Sequence, residues 1–445
     1  MSNKKVDLKK RLATKKYKIP GLFSWKFLVN CIMKPFVGSR YNPHVKIVDD
    51  INKCDGPCFL IYNHQARCDY VWISECCYPR PINFVTNYGE FFRSHLHGIL
   101  NFLNAIPKKM FTQDLPFMKA MKQIIDQKGV ICFAPEGTSC IVGHNQPIVP
   151  GTGRFFKYFK LPVYIVKIKG GFLTNHKCCL DDRKGRVDAE LSLLLNPEKI
   201  NSSSDTEIEK IINDALWQDD YEWNKTERIK FKTKGRVCTD MHDLLYKCPK
   251  CGEELQMIGE FNYIKCNHCG NGAFMSDYYD FQPFNDDCVI PASPSKWNDW
   301  ERGVIAKEIR NNDDFSLSER VKIGAIPSDH YMKNKVCSEP IGEGLITLDH
   351  KGFHFNGERN GEPWDFTLSW KTLYTISINV DCKWFAIYVD GEFYQLTPER
   401  RIVGKIQHIV EEMSRYYFNV WPNLPQLDYI YEPGMKFGVD EKEGK

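Results

Sequence analysis

Short apolar segments alternate with helical segments between residues 44 and 170, and this alternation restricts the fold more than any other feature. The segments predicted as strands are 45–48, 59–62, 82–86, 130–133 and 163–168. The segments predicted as helices are 70–77, 90–103, 115–127 and 153–159. Such alternation forms a sheet flanked by helices, so we predict an α/β domain. Active-site residues of these sheets lie in loops at the carboxyl ends of the strands.

The first polar cluster lies between the predicted strand 59–62 and the predicted helix 70–77. Its sequence is Asn63-His64-Gln65-Ala66-Arg67-Cys68-Asp69. Asp69, in the first turn of a helix, could accept a hydrogen bond from one ring nitrogen of His64 and leave the other nitrogen free as a base. This is the base-and-orienter half of a Ser-His-Asp triad, with the hydroxyl supplied by the substrate. Alone, the pair is weak evidence, because an incidental surface histidine and acid would look the same.

The second polar cluster follows the predicted strand 130–133. Its sequence is Ala134-Pro135-Glu136-Gly137-Thr138-Ser139. A loop with glycine and small hydroxyl residues after an acid can present backbone N–H groups and side-chain donors to an anion. The alternative for this cluster is an ordinary turn with a surface glutamate.

Taken together, in this order and in an α/β frame, the two clusters resemble the glycerolipid acyltransferase family that includes lysophosphatidate acyltransferases. Asn63, His64 and Asp69 match the family's Asn-His-x4-Asp motif. The family's Phe-Pro-Glu-Gly-Thr-Arg motif is matched by residues 135–138, with Ala134 in place of the leading Phe. An apolar strand with a leading proline, 161–166, looks like a further family motif, and the resemblance covers roughly residues 20–220.

The resemblance implies an O-acyltransferase in which His64 is the general base and Asp69 orients it. The acyl group would come from an acyl thioester, acyl-CoA or acyl-ACP, and would pass to the hydroxyl of a lysophospholipid, with 1-acyl-glycerol-3-phosphate as the expected acceptor. Glu136 and the turn at Gly137 and Thr138 would help to bind the glycerol-phosphate head, and Asn63 is also expected at the substrate.

Two departures from the family pattern concern phosphate recognition. Ser139 stands where the family has Arg, and Lys108 and Lys109 occupy the neighbourhood of a second family arginine, with Lys109 preferred. Arg grips phosphate with two donors, whereas Lys acts as a point charge. We therefore expect either that Lys108, Lys109 or Arg154 contacts the phosphate, or that the acceptor lacks a simple phosphomonoester. The alternative is a catalytically degenerate membrane-surface scaffold that recruits protein partners through its other domains.

Two Cys-x2-Cys pairs, Cys248 with Cys251 and Cys266 with Cys269, are separated by fourteen residues. Four thiolates at this spacing suit tetrahedral zinc, and a site closed by four protein ligands is structural. Ribbons of this kind often bind nucleic acid, but residues 241–285 carry more acids than bases. Without a basic face the phosphate-driven contribution is missing, so we predict a zinc ribbon that binds no nucleic acid.

The first 46 residues carry twelve Lys or Arg against one acid, Asp7. Such a segment attracts an anionic membrane or nucleic acid, or is a solvated leader. The aromatic segment 20–37 is predicted as an interfacial helix that ends before Pro35, with packing on the core as the alternative.

No run reaches the ~18–20 apolar residues of a membrane span. Eighteen cysteines in a chain without a recognisable signal peptide indicate a reducing compartment. We therefore expect a cytoplasmic protein peripheral on the inner face of a membrane.

From residue 344 onward the pattern changes to short strands separated by turn signals such as Asp390-Gly391, and a final helix is predicted over 401–416. This resembles a pleckstrin-homology-like barrel capped by a helix. The predicted organisation is a basic leader and interfacial helix (1–43), an acyltransferase domain (44–235), a zinc ribbon (236–285), a linker region (286–340), a β-barrel-like domain with a terminal helix (341–425) and a tail (426–445).

Overall fold

The computed structural model describes residues 7–334 and 336–420, so the predicted tail 426–445 lies outside the described residues. The first seven strands form one sheet in the order β1-β7-β6-β2-β5-β3-β4. Neighbouring strands are parallel except β6 and β7, which are antiparallel. The strands are β1 (Asn42–Ile47), β2 (Cys58–Tyr62), β3 (Ile82–Asn87), β4 (Ile106–Lys108), β5 (Val130–Phe133), β6 (Val163–Lys169) and β7 (Arg186–Leu195).

Helices cover both faces of this sheet, which is why its central strand β2 is apolar throughout. Leu60 and Tyr62 pack with the core on one face, and Phe59 and Ile61 pack with the core on the other. The helices are α1 (Leu8–Ala13), α2 (Leu22–Phe27), α3 (Asp69–Cys76), α4 (His97–Phe102), α5 (Leu115–Asp126), α6 (Thr152–Phe159), α7 (Gly171–Thr174), α8 (Pro197–Ser202), α9 (Asp205–Leu216) and α10 (Asp220–Glu227). We call residues 7–235 the α/β unit, and its sheet with flanking helices confirms the predicted fold class.

The segment predicted as an interfacial helix has two different faces. After α2 it continues as wide π-type turns over Leu28–Val37, and Pro35 lies inside the helix rather than after it. Proline has no N–H to donate, and a locally wider turn accommodates this loss. Trp25 and Val29 are buried in the core, whereas Phe23 is 85% exposed and Phe36 is 66% exposed. The segment therefore packs on the core and also presents aromatic side chains to the surroundings.

The helix predicted over 90–103 is interrupted. A 3₁₀ turn spans Tyr88–Phe92, and α4 begins only at His97. Between them the Ser94 N–H donates to the Met332 carbonyl (2.9 Å), and the Met332 N–H donates to the Phe92 carbonyl (2.8 Å). Pairing with a distant segment takes the hydrogen bonds that a continuous helix would need, and sequence periodicity does not register this.

Residues 236–285, the cysteine unit, contain a small antiparallel sheet in the order β11-β10-β9-β8. Its strands are β8 (Met257–Glu260), β9 (Tyr263–Cys266), β10 (Gly272–Met275) and β11 (Phe281–Pro283).

The last part of the described chain, the β unit (294–418), is an antiparallel sheet with a helix at each end. Its strand order is β15-β14-β13-β12-β18-β17-β16, which confirms the predicted mainly β region with a terminal helix. The pleckstrin-homology-like resemblance stays a prediction. The elements are α11 (Pro294–Asn311), β12 (Ser316–Ala325), β13 (Glu339–Asp349), β14 (Gly352–Arg359), β15 (Glu362–Leu368), β16 (Ser377–Ile378), β17 (Phe385–Val389), β18 (Glu392–Pro398) and α12 (Val403–Phe418).

The structure differs from the linker predicted over 286–340, because α11 and β12 lie within that range. Trp297 and Trp300 of α11 are fully buried, and several of its charged residues, among them Arg302, are buried as well. The Arg302 guanidinium, for example, forms a buried ion pair with Glu411 of α12 (2.6 Å). A helix that buries charged residues in ion pairs has a polar sequence. The sequence pattern therefore predicts a linker here, although α11 belongs to the core.

In the described part of the chain no helix combines the length and the apolarity needed to cross a bilayer.

Candidate active site

His64 and Asp69 meet at the carboxyl end of β2. His64 Nδ1 lies 2.8 Å from Asp69 Oδ2, and the Ala66 N–H donates to both carboxylate oxygens (3.0 Å each). Asp69 is 2% exposed, whereas the His64 side chain is 31% exposed. Burial raises the pKa of Asp69 above its ordinary value, and the hydrogen bond from His64 partly offsets this effect. The carboxylate fixes the orientation of the ring, and His64 Nε2 has no hydrogen-bond partner among the described residues.

The chain forms this turn because Asn63 ties the strand end down. The Asn63 side chain donates to the Ile168 carbonyl and accepts from the Ile168 N–H (2.7 Å each), which joins the ends of β2 and β6. Asp69 is the first residue of α3, where a negative charge is favourable to the helix dipole. Asn63, expected at the substrate, is fully buried in this clamp and does not line the cavity described below.

Glu136 is a buried carboxylate that supports the histidine from below. Glu136 Oε1 accepts from the His64 N–H (3.1 Å) and from Asn145 Nδ2 (2.7 Å), and Oε2 accepts from the Gln146 N–H (2.9 Å). The Cys140 N–H in turn donates to the His64 carbonyl (2.6 Å). The loop after β5 therefore holds the His64 backbone on both sides. Burial raises the pKa of Glu136 to about 7.

Gly137 is the residue that lets this loop turn. Its φ is +70°, and a Cβ there would lie 2.7 Å from Phe111 Cε1. A side chain would be strained by the backbone conformation and would also collide with Phe111. This explains the glycine in the second cluster.

A cavity of about 1800 Å³ opens in front of His64. The ring of His64 lines it together with Thr138, Ser139 and Lys108. Most of its wall is apolar, and representative side chains are Met33, Leu100, Met110, Phe117, Phe133 and Phe155. The site therefore combines an oriented base with a large apolar chamber.

The three residues predicted to contact the phosphate lie in different places in the structure. Lys108 lines the cavity, donates to the carbonyls of Lys109 and Thr112, and has a pKa lowered by burial to about 8. Lys109, the preferred residue, instead donates to the Gly391 carbonyl of the β unit. Arg154 lies outside the cavity, with an 86% exposed side chain that pairs with Asp205.

Glu136 and Gly137, both expected to help bind the head group, lie in different positions relative to the cavity. Gly137 lines the cavity with Thr138 and Ser139, whereas Glu136 does not and is 2% exposed. All of its hydrogen bonds described above go to protein groups. The structure therefore gives Glu136 a supporting position below His64.

Three basic residues in the cavity wall were not predicted. Arg67 lies inside the first motif, and its Nη2 donates to the Leu180 carbonyl (2.9 Å). Arg93 lies in the interrupted helix, and Lys371 belongs to the β unit. The position of Arg67 between His64 and Asp69 was a usable signal, but nothing in the local sequence places the other two at the site.

The predicted metal ligands come together. The ligand atoms of Cys248, Cys251, Cys266 and Cys269 all lie within 4.8 Å of one another, so this cluster could bind a metal ion. The cysteine unit lies apart from His64 in the chain and contributes no residue to the cavity wall.

Comparison with known proteins agrees with the motifs. Residues 42–169 match the family described as Acyltransferase. Among solved structures, the chain is similar to the 1-acyl-sn-glycerophosphate (LPA) acyltransferase PlsC from Thermotoga maritima, with a TM-score of 0.36 and 19% identity over 44% of this chain and 78% of that chain. Comparison with curated proteins gives no match. The resemblance seen in the motifs is confirmed for residues 42–169, which form an acyltransferase domain.

Proposed function

We propose that this acyltransferase domain moves a fatty acyl group from an acyl thioester, acyl-CoA or acyl-ACP, to the hydroxyl of a lysophospholipid. The observation that carries the proposal is the His64 Nδ1 to Asp69 Oδ2 contact of 2.8 Å, made by a histidine whose ring lines the large cavity. A buried carboxylate that orients an accessible imidazole is the arrangement of a general base. The expected acceptor is 1-acyl-glycerol-3-phosphate.

In the proposed reaction His64 Nε2 takes the proton of the acceptor hydroxyl, and the oxygen attacks the carbonyl carbon of the thioester. Asp69 stabilises the imidazolium that forms. The tetrahedral intermediate then expels the thiolate, which takes the proton from His64 and leaves as a free thiol. The C–S bond breaks, the ester C–O bond forms, and His64 returns to its starting state.

Backbone donors suited to the intermediate lie in the loop after β5. The N–H groups of Thr138 and Ser139 have no hydrogen-bond partner among the described residues, and both residues line the cavity. We propose that they donate to the oxyanion, where one such donor typically contributes about 10²–10³-fold in rate.

The size of the cavity supports direct transfer between two bound substrates. Its volume of about 1800 Å³ exceeds the ~300–1,000 Å³ of a pocket for one drug-sized ligand. Direct transfer needs the acyl donor and the lipid acceptor in the site at the same time, and the apolar wall suits their chains. We further propose that the lipid enters from a membrane surface contacted by the exposed aromatic face of the segment 22–37.

The cysteine cluster fits structural zinc. The Sγ atoms of Cys248 and Cys269 are 3.7 Å apart, and those of Cys251 and Cys266 are 3.9 Å apart. A tetrahedral ion with Zn–S bonds of ~2.3 Å puts its sulfur ligands about 3.8 Å apart. We propose that these four thiolates hold one Zn²⁺, which fixes the fold of the cysteine unit and takes no part in acyl transfer.

The experiment is to incubate the purified protein with acyl-CoA, or with acyl-ACP, and a panel of lysolipids, and to identify the products by mass spectrometry. His64→Ala is expected to lower kcat by about 10²–10⁴-fold, the usual contribution of a general base. His44→Ala is the matched control, because His44 lies on β1 in the same unit and outside the cavity. Equal turnover by the His64→Ala variant and the wild type would contradict the proposed mechanism.

The same experiment tests the scaffold alternative. That alternative follows from Ser139, which stands where the family has Arg. A degenerate scaffold predicts that no thioester and no lysolipid is consumed, although the folded protein still binds membranes or protein partners. The accessible ring of His64 and its oriented geometry favour the enzyme.

A further inference from the structure

One wall of the active-site cavity belongs to the β unit, about 300 residues further along the chain than His64. Most of the contributing residues fall in the segment between β15 and β17, and among them are Lys371, Thr372, Tyr374, Ser377, Asn379 and Trp384. The cavity is therefore shared between the α/β unit and the β unit, and the chemistry of its wall depends on both.

The turn that carries Lys371 is firmly anchored on both sides. On one side Trp370 is buried, its Nε1–H donates to the Asp349 carbonyl (2.9 Å), and its own carbonyl accepts from Ser414 Oγ (2.8 Å). On the other side Thr375 Oγ1 donates to Glu411 Oε1 (2.7 Å). Lys371 is therefore presented from a fixed position.

The same turn lies against the loop that supports His64. The rings of Tyr374 and Phe111 are 5.8 Å apart in an edge-on arrangement, and Phe111 is the residue that approaches Gly137 most closely. A small second cavity is lined by Thr138, Tyr374 and Thr375 together. The turn of the β unit thus lies beside the Gly137–Ser139 side of the site.

The other cations in the cavity wall already have protein partners. Arg67 pairs with Asp182 (3.3 Å) and Arg93 pairs with Glu90 (2.8 Å). Lys108 is bound to two backbone carbonyls, as described above.

Lys371 differs from these three, because within residues 7–334 and 336–420 it has no hydrogen bond or ion pair. The acids of the wall are engaged as well: Asp69 by His64, Glu90 by Arg93, and Asp114 by the N–H groups of Lys109 and Phe117. An unpaired ammonium in a cavity that the hydroxyl residues Thr138 and Ser139 also line is suited to an anionic oxygen ligand.

We propose that Lys371, carried into the site by the β unit, binds the phosphate of a phosphorylated lipid acceptor. The proposal rests on the proposed function and names the group that would discriminate between acceptors. The β unit then acts as a part of the active site that selects a phosphorylated head group, and it supplies a positive charge to the cavity that Ser139 also lines.

The test compares wild type, Lys371→Ala and Lys371→Arg with acyl-CoA as donor and either lysophosphatidate or the neutral 1-monoacylglycerol as acceptor. A charge-assisted hydrogen bond lost in Lys371→Ala is expected to lower the ratio of kcat/KM for lysophosphatidate to kcat/KM for monoacylglycerol by about 10- to 100-fold. Lys371→Arg is expected to retain most of the preference. Lys351→Ala, at an exposed lysine of the β13–β14 turn outside the cavity, is the matched control.

An unchanged ratio in Lys371→Ala would overturn the proposal, and so would an increase in KM for acyl-CoA alone, since the lysine would then contact the phosphates of the donor. Direct binding separates this proposal from the proposed function. If the wild type turned over no acceptor, the acyltransferase activity would fail, but weaker binding of lysophosphatidate by Lys371→Ala than by wild type, with monoacylglycerol binding equal, would still support the phosphate site. Equal binding of lysophosphatidate by both proteins would refute it.

Discussion

Glu136 is the residue whose position in the structure most changes the interpretation of the sequence. Its motif resembles a substrate-binding loop, but its carboxylate is buried and receives hydrogen bonds from His64, Asn145 and Gln146. A buried carboxylate with three donors aimed at it is stable only while all of them stay in place. Glu136 therefore couples the two motifs by holding the backbone that carries the base.

The Glu136→Gln substitution should disturb these hydrogen bonds without changing the size of the side chain. The amide oxygen can replace Oε1, but the amide NH₂ then faces the Gln146 N–H, and two donors oppose each other. We expect the free energy of unfolding to fall by about 1–3 kcal/mol and kcat to fall with it. Chemical denaturation and the acyltransfer assay measure the two effects, with Glu190→Gln on the exposed part of β7 as control.

The pH dependence of the same two proteins gives an independent readout. Burial raises the pKa of Glu136 from 4.5 in the unfolded chain to about 7, so the folded protein binds this proton more tightly. Protonation of Glu136 therefore adds to the stability of the wild type, and the Glu136→Gln variant has no such group. The difference in the free energy of unfolding between the wild type and the variant should be greatest below pH 4.5 and should decline as the pH rises to about 7. A difference that stays constant across this range would contradict the role assigned to the buried carboxyl.

At the scale of single elements, the segment 22–37 has one face buried in the core and another face exposed. Trp25 and Val29 face the core, while Phe23 and Phe36 face outward. Ile32 and Met33 of the same segment line the cavity, so the segment lies against the space that a lipid would occupy. An exposed aromatic face next to a lipid-sized cavity is typical of an interfacial element.

Phe23→Ser combined with Phe36→Ser should reduce binding to vesicles that contain anionic lipid. Full withdrawal of one phenylalanine from water contributes about 1.5–3 kcal/mol, so loss of two should lower membrane partitioning by about 100-fold or more. Vesicle flotation measures this, and Phe261→Ser, at an exposed phenylalanine of the cysteine unit, is the control. Point substitutions are preferable to deletion of residues 1–40, which would also remove buried Trp25 and Val29. Equal flotation of all three proteins would exclude this face as the membrane contact.

At the scale of the whole molecule, α11 joins the three units. Its Asp299 forms a buried ion pair with His144 of the α/β unit (2.9 Å), and its Arg302 pairs with Glu411 of α12 (2.6 Å). The Trp297 Nε1–H donates to the Lys247 carbonyl of the cysteine unit (3.0 Å). Removal of one partner of a buried ion pair lowers the free energy of unfolding by several kcal/mol. These contacts therefore make the stability of each unit depend on the others.

Removal of the metal from the cysteine unit should therefore destabilise the entire protein. Lys247, which contacts α11, directly precedes Cys248, so loss of the ion should loosen the helix that carries the β unit. We expect one zinc per chain by elemental analysis, and a lower Tm with a single cooperative transition after chelation. Cys288→Ser, outside the cluster, is the control and should keep its zinc. An unchanged Tm after complete loss of zinc would show that the units are independent.

The sequence alone determined the α/β frame, the pairing of His64 with Asp69 and the four-cysteine cluster. These features depend on short spacings, since apolar periodicity defines each strand and only four residues separate the base from its orienter. The same logic failed for α11, whose charged residues are expected to face solvent although several of them are buried, as Arg302 is in its ion pair with Glu411 of α12. It also failed for the helix predicted over 90–103, which pairing with Met332 interrupts.

Only the tertiary structure decided which residues surround the reacting atoms. It directed Lys108 into the cavity and Lys109 to the β unit, buried Glu136 beneath His64, and brought Lys371 to a site formed some 300 positions earlier in the chain. The physical reason is that a local pattern reports what a residue can do with its near neighbours. Packing of one unit on another decides which distant charge is left without a partner and faces the site.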